Sequence, residues 1–336
     1  MLKKLGLSLA ALLLALLAAE LLVRLVSAAP QIYVIRKGRF QLSRNPKIGY
    51  EPVPLAYSGQ ELSFYDYRGA SNSLGYRDRE HSIEKPPGVF RIVVLGDSIA
   101  AGLRVDRYED VFPAILERLL RERGLRAEVI NFAVSGYNTQ QEVETLEAKG
   151  LRYQPDLVLL EYSLSSRERF DGDIMKTLLE EERQKQGVDS VRVDPLLVRS
   201  ALYRFVKFRV LAPRQPPAAA AQATAQYLDL VSTDAVAEYF GELRQLGKDH
   251  HFSVVVAIFP RFVHDFGSYR FLGDHQFARS LAEKNGFTVV DLLAPFGRCR
   301  AASSEPISTD AFHPNANGHR CAAEALAPVV LAQAHR

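Results

Sequence analysis

The chain has 336 residues, 47% of them hydrophobic and 24% charged, with a net charge of +3. That is ordinary globular composition, long enough for one large domain or two small ones. So small a charge, with no stretch of Lys and Arg interleaved with aromatics, argues against a nucleic-acid partner.

The N-terminus, "MLKKLGLSLAALLLALLAAELLVRLVSAAP", is two lysines followed by an apolar run broken only at Glu20 and Arg24. It reads as a targeting segment. Ser27 and Ala29 before Pro30 allow a cleaved signal peptide. An uncleaved anchor through residues 5–28 fits better, because Glu20 and Arg24 stand four apart, where they pair on a helix near one interface. Lys3 and Lys4 favour a cytoplasmic N-terminus. The expectation is a single-pass inner-membrane protein with its bulk facing the periplasm or the outside. Residues 30–88 show no sustained period and read as an irregular segment, ended by Lys85-Pro86-Pro87-Gly88.

From Phe90 the pattern changes. Phe90–Leu95 is an apolar strand, and Phe112, Ile115, Leu116, Leu119 and Leu120 recur at helical spacing. Further strands are expected at Ala127–Phe132, Leu157–Leu160, Ser253–Phe259 and Phe287–Asp291. Helices are expected at about 139–149, 234–247 and 274–285. Short, wholly apolar strands alternating with helices predict a parallel sheet buried on both faces, hence an α/β fold built as a three-layer α/β/α sandwich of about five strands. Between the third and fourth strands lies an insertion, 163–226, whose "APRQPPAAAAQATAQ" reads as a linker or lid. The domain reading is therefore 1–29 anchor or signal, 30–88 juxtamembrane, and 89–336 the α/β domain.

Two cysteines occur, Cys299 and Cys321. In an exported protein they can join, and two free buried thiols are the equal alternative. No Cys/His spacing resembles a zinc site, and His250-His251 falls at a helix-to-strand turn where solvated side chains are expected. No metal or cofactor is implied.

Ligands of parallel α/β sheets gather at the carboxyl ends of strands. There, "RIVVLGDSIAAG" hands the first strand to Asp97 and Ser98. Those two residues suit a helix cap or a nucleophile. A hydroxyl nucleophile needs a base, and "STDAFHPNANGHRCAAEAL" offers His313 with Asp310 three residues before it. An imidazole takes a serine proton only when its other nitrogen is held in the right tautomer, which a carboxylate does.

Together, the GDS motif after the first strand, a glycine after the second and Asp-x-x-His-Pro near the C-terminus resemble the GDSL/SGNH family of serine esterases and acyl-transferring enzymes, over about residues 89–330. The resemblance implies a flavodoxin-like sheet, Ser98 as nucleophile, His313 as general base and Asp310 as its orienting partner. It implies an oxyanion hole from the N–H groups of Ser98 and of Gly136 in "NFAVSGYNT". His319 and Gly318 echo the family's tail, with His319 structural. The third block departs: where the family has Gly-x-Asn-Asp, this chain reads "LVLLEYSLSSRERFDGD", with Ser165 and Ser166 at the Asn-Asp positions. Ser165 would be a shorter third donor; Asn138 is a second candidate, or an ordinary turn residue.

The expectation is an extracytoplasmic, membrane-tethered serine hydrolase that cleaves or transfers an O-acyl group, acetyl in particular, on a carbohydrate. A membrane-bound acyltransferase or polysaccharide machinery is the partner such a tether would suit. The alternative is a catalytically silent subunit of an export or acylation system, suggested by the missing third-block Asn. No large apolar lid stretch in 163–226 points to a lipase.

Overall fold

The computed structural model describes residues 2–26, 40–53, 71–164, 174, 178–179, 197, 200–206, 210–211, 236–263, 266–302 and 304–335. Its elements are, in order, α1 (Leu2–Leu25), β1 (Phe40–Leu42), β2 (Tyr50–Pro52), β3 (Phe90–Leu95), α2 (Phe112–Glu122), β4 (Ala127–Asn131), α3 (Thr139–Ala148) and β5 (Leu157–Ser163). They continue with α4 (Ala201–Phe205), α5 (Val236–His250), β6 (Ser253–Phe259), α6 (Leu272–Lys284), β7 (Thr288–Asp291), α7 (Leu293–Ala302) and α8 (Ala316–Ala334). The insertion lies largely outside the described residues. The chain divides into two compact units, Met1–Arg36 with Asp173–Ala225, and Lys37–Gly172 with Gln226–Arg336.

In the first unit α1 meets α4. Glu20 pairs with Arg24 at 2.7 Å, as its spacing suggests. The same carboxylate also accepts from Ser200 Oγ and from the N–H groups of Ala201 and Leu202, so it caps α4. Among the described residues no helix is long and apolar enough to cross a membrane.

The second unit is built on one parallel sheet in the order β4-β3-β5-β6-β7. Its strands are mostly apolar because both faces are covered: every residue of β5 is buried, Glu161 included, and every residue of β6 after Ser253. On one face Ile92, Val94, Leu157, Leu159, Val255 and Ala257 pack with Phe112, Ile115, Leu116 and Leu120 of α2. Phe296 of α7 and the Ala322–Val330 stretch of α8 complete that layer. On the other face α3 packs on β3 and on α5, α5 lies on β6, and Phe240 meets Tyr162 edge-on. This is the three-layer sandwich expected, with flavodoxin-like strand order. The order reverses between β3 and β5, and the crevice at their carboxyl ends is where such sheets bind ligands.

Two features depart from expectation. The 30–88 region is not wholly irregular: β1 and β2 form a small antiparallel sheet, and Tyr50 of β2 donates its hydroxyl to the Ser135 carbonyl at 2.7 Å. Strands of three residues are too short to leave a period in the sequence. Second, α7 follows β7 directly; its apolar and polar residues do not segregate to opposite faces, so no helical stripe announces it.

Cys299 of α7 and Cys321 of α8 form a disulfide across 22 residues of chain, which settles the alternative left open by the sequence. Closing a loop of that length constrains the unfolded chain by about 3 kcal/mol. Reduction is expected to lower the midpoint of chemical denaturation by a corresponding amount. An unchanged midpoint under reductant would show that α7 and α8 are held by packing alone.

Candidate active site

Ser98 lies in the turn that follows β3. Gly96 starts the turn because nothing larger fits: a Cβ there would stand 2.6 Å from Glu161 Oε2 and 2.9 Å from Ala100 Cβ. Asp97 then closes it, its Oδ1 accepting the Ile99 N–H at 2.8 Å and its Oδ2 the Ser163 hydroxyl at 2.8 Å. Asp97 is thus the capping group the sequence allowed, and Ser98 is left half-buried. Arg77, from the segment before the sheet, holds the far side, donating to the carbonyls of Ala101, Gly102 and Val105.

The other loop precedes α8. Asn315 caps that helix through Asn317 and Gly318 and ties back to the Pro306 carbonyl at 2.7 Å. Gly318 is required by close approach, since a Cβ there would lie 2.1 Å from the Ile307 carbonyl oxygen. Within the loop Asp310 Oδ1 accepts the N–H groups of Phe312 and His313, each at 2.8 Å. The carboxylate faces His313 Nδ1 at 2.9 and 3.0 Å, and His313 Nε2 stands 3.0 Å from Ser98 Oγ. A proton on Nδ1 shared with Asp310 leaves Nε2 as the acceptor for the serine hydroxyl. Burial by itself would raise the Asp310 carboxyl, but hydrogen bonds from His313 and from the two backbone N–H groups hold it below its ordinary value.

Gly136 sits in a left-handed turn, φ +82°. The N–H groups of Phe132 and Val134 donate to the carbonyls of Val94 and Gly96, which carries the β4–β3 pairing past the strands and brings this stretch beside the Ser98 turn. Asn138 is the N-cap of α3 in a capping box with Gln141; its carboxamide oxygen is taken by the Gln141 N–H at 3.1 Å. Ser165 and Ser166 lie outside the described residues. His319, one turn into α8, is fully buried and accepts the Phe112 N–H at Nδ1. Burial first, then the Arg77 and His313 charges, push its imidazole down to about 3, so it is a neutral packing residue. His250 and His251 are exposed.

Three neighbours of the site carry no motif. Arg104, on the Ser98 turn, donates to Asp310 Oδ2 at 2.6 Å. Glu161, fully buried on β5, accepts the Asp97 N–H at 3.0 Å, and its Oε1 has no partner among the described residues. Glu142 of α3 is equally buried, and neither of its carboxyl oxygens has a partner among the described residues. An acid inside the apolar run "LVLLEYS" was a signal available to the sequence reading; Arg104 and Arg77 gave none. Among the described residues one acidic trio, Glu144, Glu147 and Glu242, is close enough to hold a cation. Lys47 already sits 2.6 Å from Glu144, which also accepts from Asn45 and Tyr239.

A parallel α/β/α sandwich whose first-strand turn sets a serine hydroxyl against a His–Asp pair is an arrangement for acyl transfer. The sequence pattern of the GDSL-like Lipase/Acylhydrolase family matches residues 94–321, and the chain belongs to that family. No curated protein matches the chain. Among solved structures it is similar to an acetyl xylan esterase, AlAXEase, at 17% identity over 72% of this chain and 100% of that one, TM-score 0.43. It is similar to a two-domain esterase (CEX) active on acetylated mannans, at 14% over 74% and 50%, TM-score 0.45. A member of the lipolytic protein G-D-S-L family from Veillonella parvula aligns at 13% over 72% and 98%, TM-score 0.42.

Proposed function

We propose that the chain is a serine esterase that removes an O-acyl group, acetyl in particular, from a carbohydrate, or passes it to a second hydroxyl, outside the cytoplasm. The observation that carries this reading is the hydrogen-bonded chain Ser98–His313–Asp310. Ser98 Oγ attacks the ester carbonyl carbon as its proton passes to His313 Nε2. The N–H groups of Ser98 and Gly136 receive the oxyanion. Collapse of the tetrahedral intermediate breaks the carbon–oxygen bond, and the leaving alcohol takes the proton from His313. Water, or an acceptor hydroxyl, then repeats the attack on the acyl-enzyme and regenerates the serine.

Phe312, next to His313, is 38% exposed, and the Arg261 guanidinium lies 4.4 Å from its ring centre. An exposed aromatic face beside the nucleophile suits the apolar side of a pyranose ring. The apolar N-terminal run supports a membrane tether, and the disulfide supports an oxidising compartment. A membrane-bound acyltransferase or polysaccharide machinery is the partner proposed for the tethered form.

The test is release of acetate from acetylated xylan, mannan and amino-sugar polymers by the full chain in detergent, with Ser98→Ala as control. Serine-dependent release supports the reading. Absence of release from every polymer, by a chain that also fails to cleave p-nitrophenyl acetate, supports instead a silent subunit with Ser165 in place of the third-block Asn.

A further inference from the structure

Arg104 occupies an unusual backbone position for an arginine. Its φ is +65°, the left-handed region that a few per cent of non-glycine residues adopt. The surrounding turn imposes it. Gly102, two residues earlier, is also left-handed at +72°, and a Cβ there would meet Val111 Cγ2 at 2.3 Å. Val105 N–H closes on the Gly102 carbonyl, and Arg77 fixes the carbonyls of Gly102 and Val105 on either side of Arg104. The result aims the Arg104 side chain at the opposite loop, where its Nη1 reaches Asp310 Oδ2 at 2.6 Å.

Two loops more than two hundred positions apart in sequence are therefore joined twice: by Ser98 to His313 at 3.0 Å and by Arg104 to Asp310 at 2.6 Å. Asp310 Oδ1 accepts two backbone N–H groups and the imidazole Nδ1 lies against both carboxylate oxygens, so Arg104 adds the second donor on Oδ2, beside the imidazole. We propose that Arg104 is a positioning residue that fastens the Asp310 carboxylate, and through it the His313 imidazole, to the nucleophile's own turn. This rests on the esterase reading for its catalytic meaning, though the ordering of the Asp310–His313 pair can be read without turnover.

The charged and titratable groups around His313 are Asp310 on its own loop, Arg104 on the nucleophile turn, and Arg77 with neutral His319 behind them; Arg261 approaches across Phe312. The pair is partly exposed, 44% for Arg104 and 27% for Asp310, so its worth is that of a screened ion pair and its effect falls on the orientation of the carboxylate.

The experiment is proton NMR of the low-field Nδ1–H that His313 shares with Asp310, in the full chain in detergent, for the parent, Arg104→Ala and Arg104→Lys. The same three proteins are assayed for kcat and KM on p-nitrophenyl acetate. Arg104→Ala is expected to broaden or abolish that resonance as the Asp310–His313 pair loses its tie and exchanges faster with water. It should also lower kcat about threefold to tenfold at nearly constant KM, as expected when only orientation is lost. Arg104→Lys keeps a donor and the charge and should restore both the resonance and most of kcat. A resonance unchanged in Arg104→Ala overturns the proposal, whatever the rates. A parent that does not hydrolyse ester while its His313 resonance responds to Arg104 would sink the esterase reading and leave the positioning role standing.

Discussion

Ser98→Ala is expected to abolish ester cleavage, with kcat falling on the order of 10⁴-fold or more, and His313→Ala to do nearly the same. The three side chains form one hydrogen-bonded chain, and groups that act as a unit lose most of their joint effect when any one is removed. The contact at stake is a single 3.0 Å hydrogen bond from the serine hydroxyl to His313 Nε2. Without Oγ no acyl-enzyme forms. Without the imidazole the hydroxyl keeps its proton at neutral pH and is a poor nucleophile. Asp310→Asn should cost a similar order, because a carboxamide can present its N–H to Nδ1 and turn the imidazole into the wrong tautomer. Steady-state rates and thermal midpoints of the three variants check this. A folded Ser98→Ala chain that retains a tenth of the parent rate would place the chemistry elsewhere.

The stability of the fold is expected to fall as pH rises above the ordinary carboxyl range, with the buried Glu142 and Glu161 pair near the Ser98 turn as the cause. Burial, and after it the nearby Asp97 charge, push both carboxyls well above the usual glutamate value of 4.5; Glu142 adds to this at Glu161. Such groups stay protonated in the folded chain while the unfolded chain releases its protons. The folded state then binds more protons, and stability decreases with pH. Their contribution is complete below the unfolded pKa near 4.5 and is lost progressively as pH climbs toward the raised folded values. The limiting slope is about 1.4 kcal/mol per pH unit for each group. Asp310 and Asp291 act in the opposite direction at acid pH: hydrogen bonds outweigh burial to hold both carboxyls below their ordinary value, so their contribution is lost as pH falls. Glu142→Gln and Glu161→Gln keep the shape and remove the titration. Chemical denaturation between about pH 5 and 8 should show each variant gaining on the parent as pH rises. A parent-to-variant difference that stays constant across that range would contradict protonated carboxyls at these positions.

Much of the architecture was legible because its cause is local. β3 and β6 run where the apolar residues do, since a strand buried on both faces is apolar at most positions, Arg91 of β3 being buried in an ion pair with Glu128. Ser98, Asp310 and His313 stand on motifs, and the loops that carry them are shaped by residues of the same short segments: Gly96, Asp97, Asn315 and Gly318. What could not be read depends on distant partners. Arg77 and Arg104 look like ordinary surface arginines until the fold sets Gly102 and Asp310 beside them. The Cys299–Cys321 pairing needed α7 and α8 to be neighbours. The β1–β2 hairpin owes its place to contacts such as Tyr50 with Tyr137 and Ser135, which no period in the sequence records. Glu161 and Glu142 are the instructive case. Each is a charged residue type in a fully buried position, and only the fold shows Glu161 accepting the Asp97 N–H beside the Ser98 turn with Glu142 near it.

The most direct measurement is labelling of the folded full chain by a fluorophosphonate probe, with the modified residue mapped by mass spectrometry in the parent, Ser98→Ala and His313→Ala. An activated serine predicts one phosphonylated residue, Ser98, with labelling absent in Ser98→Ala and strongly slowed in His313→Ala. A folded parent that takes up no label, or takes it at another serine, contradicts the account.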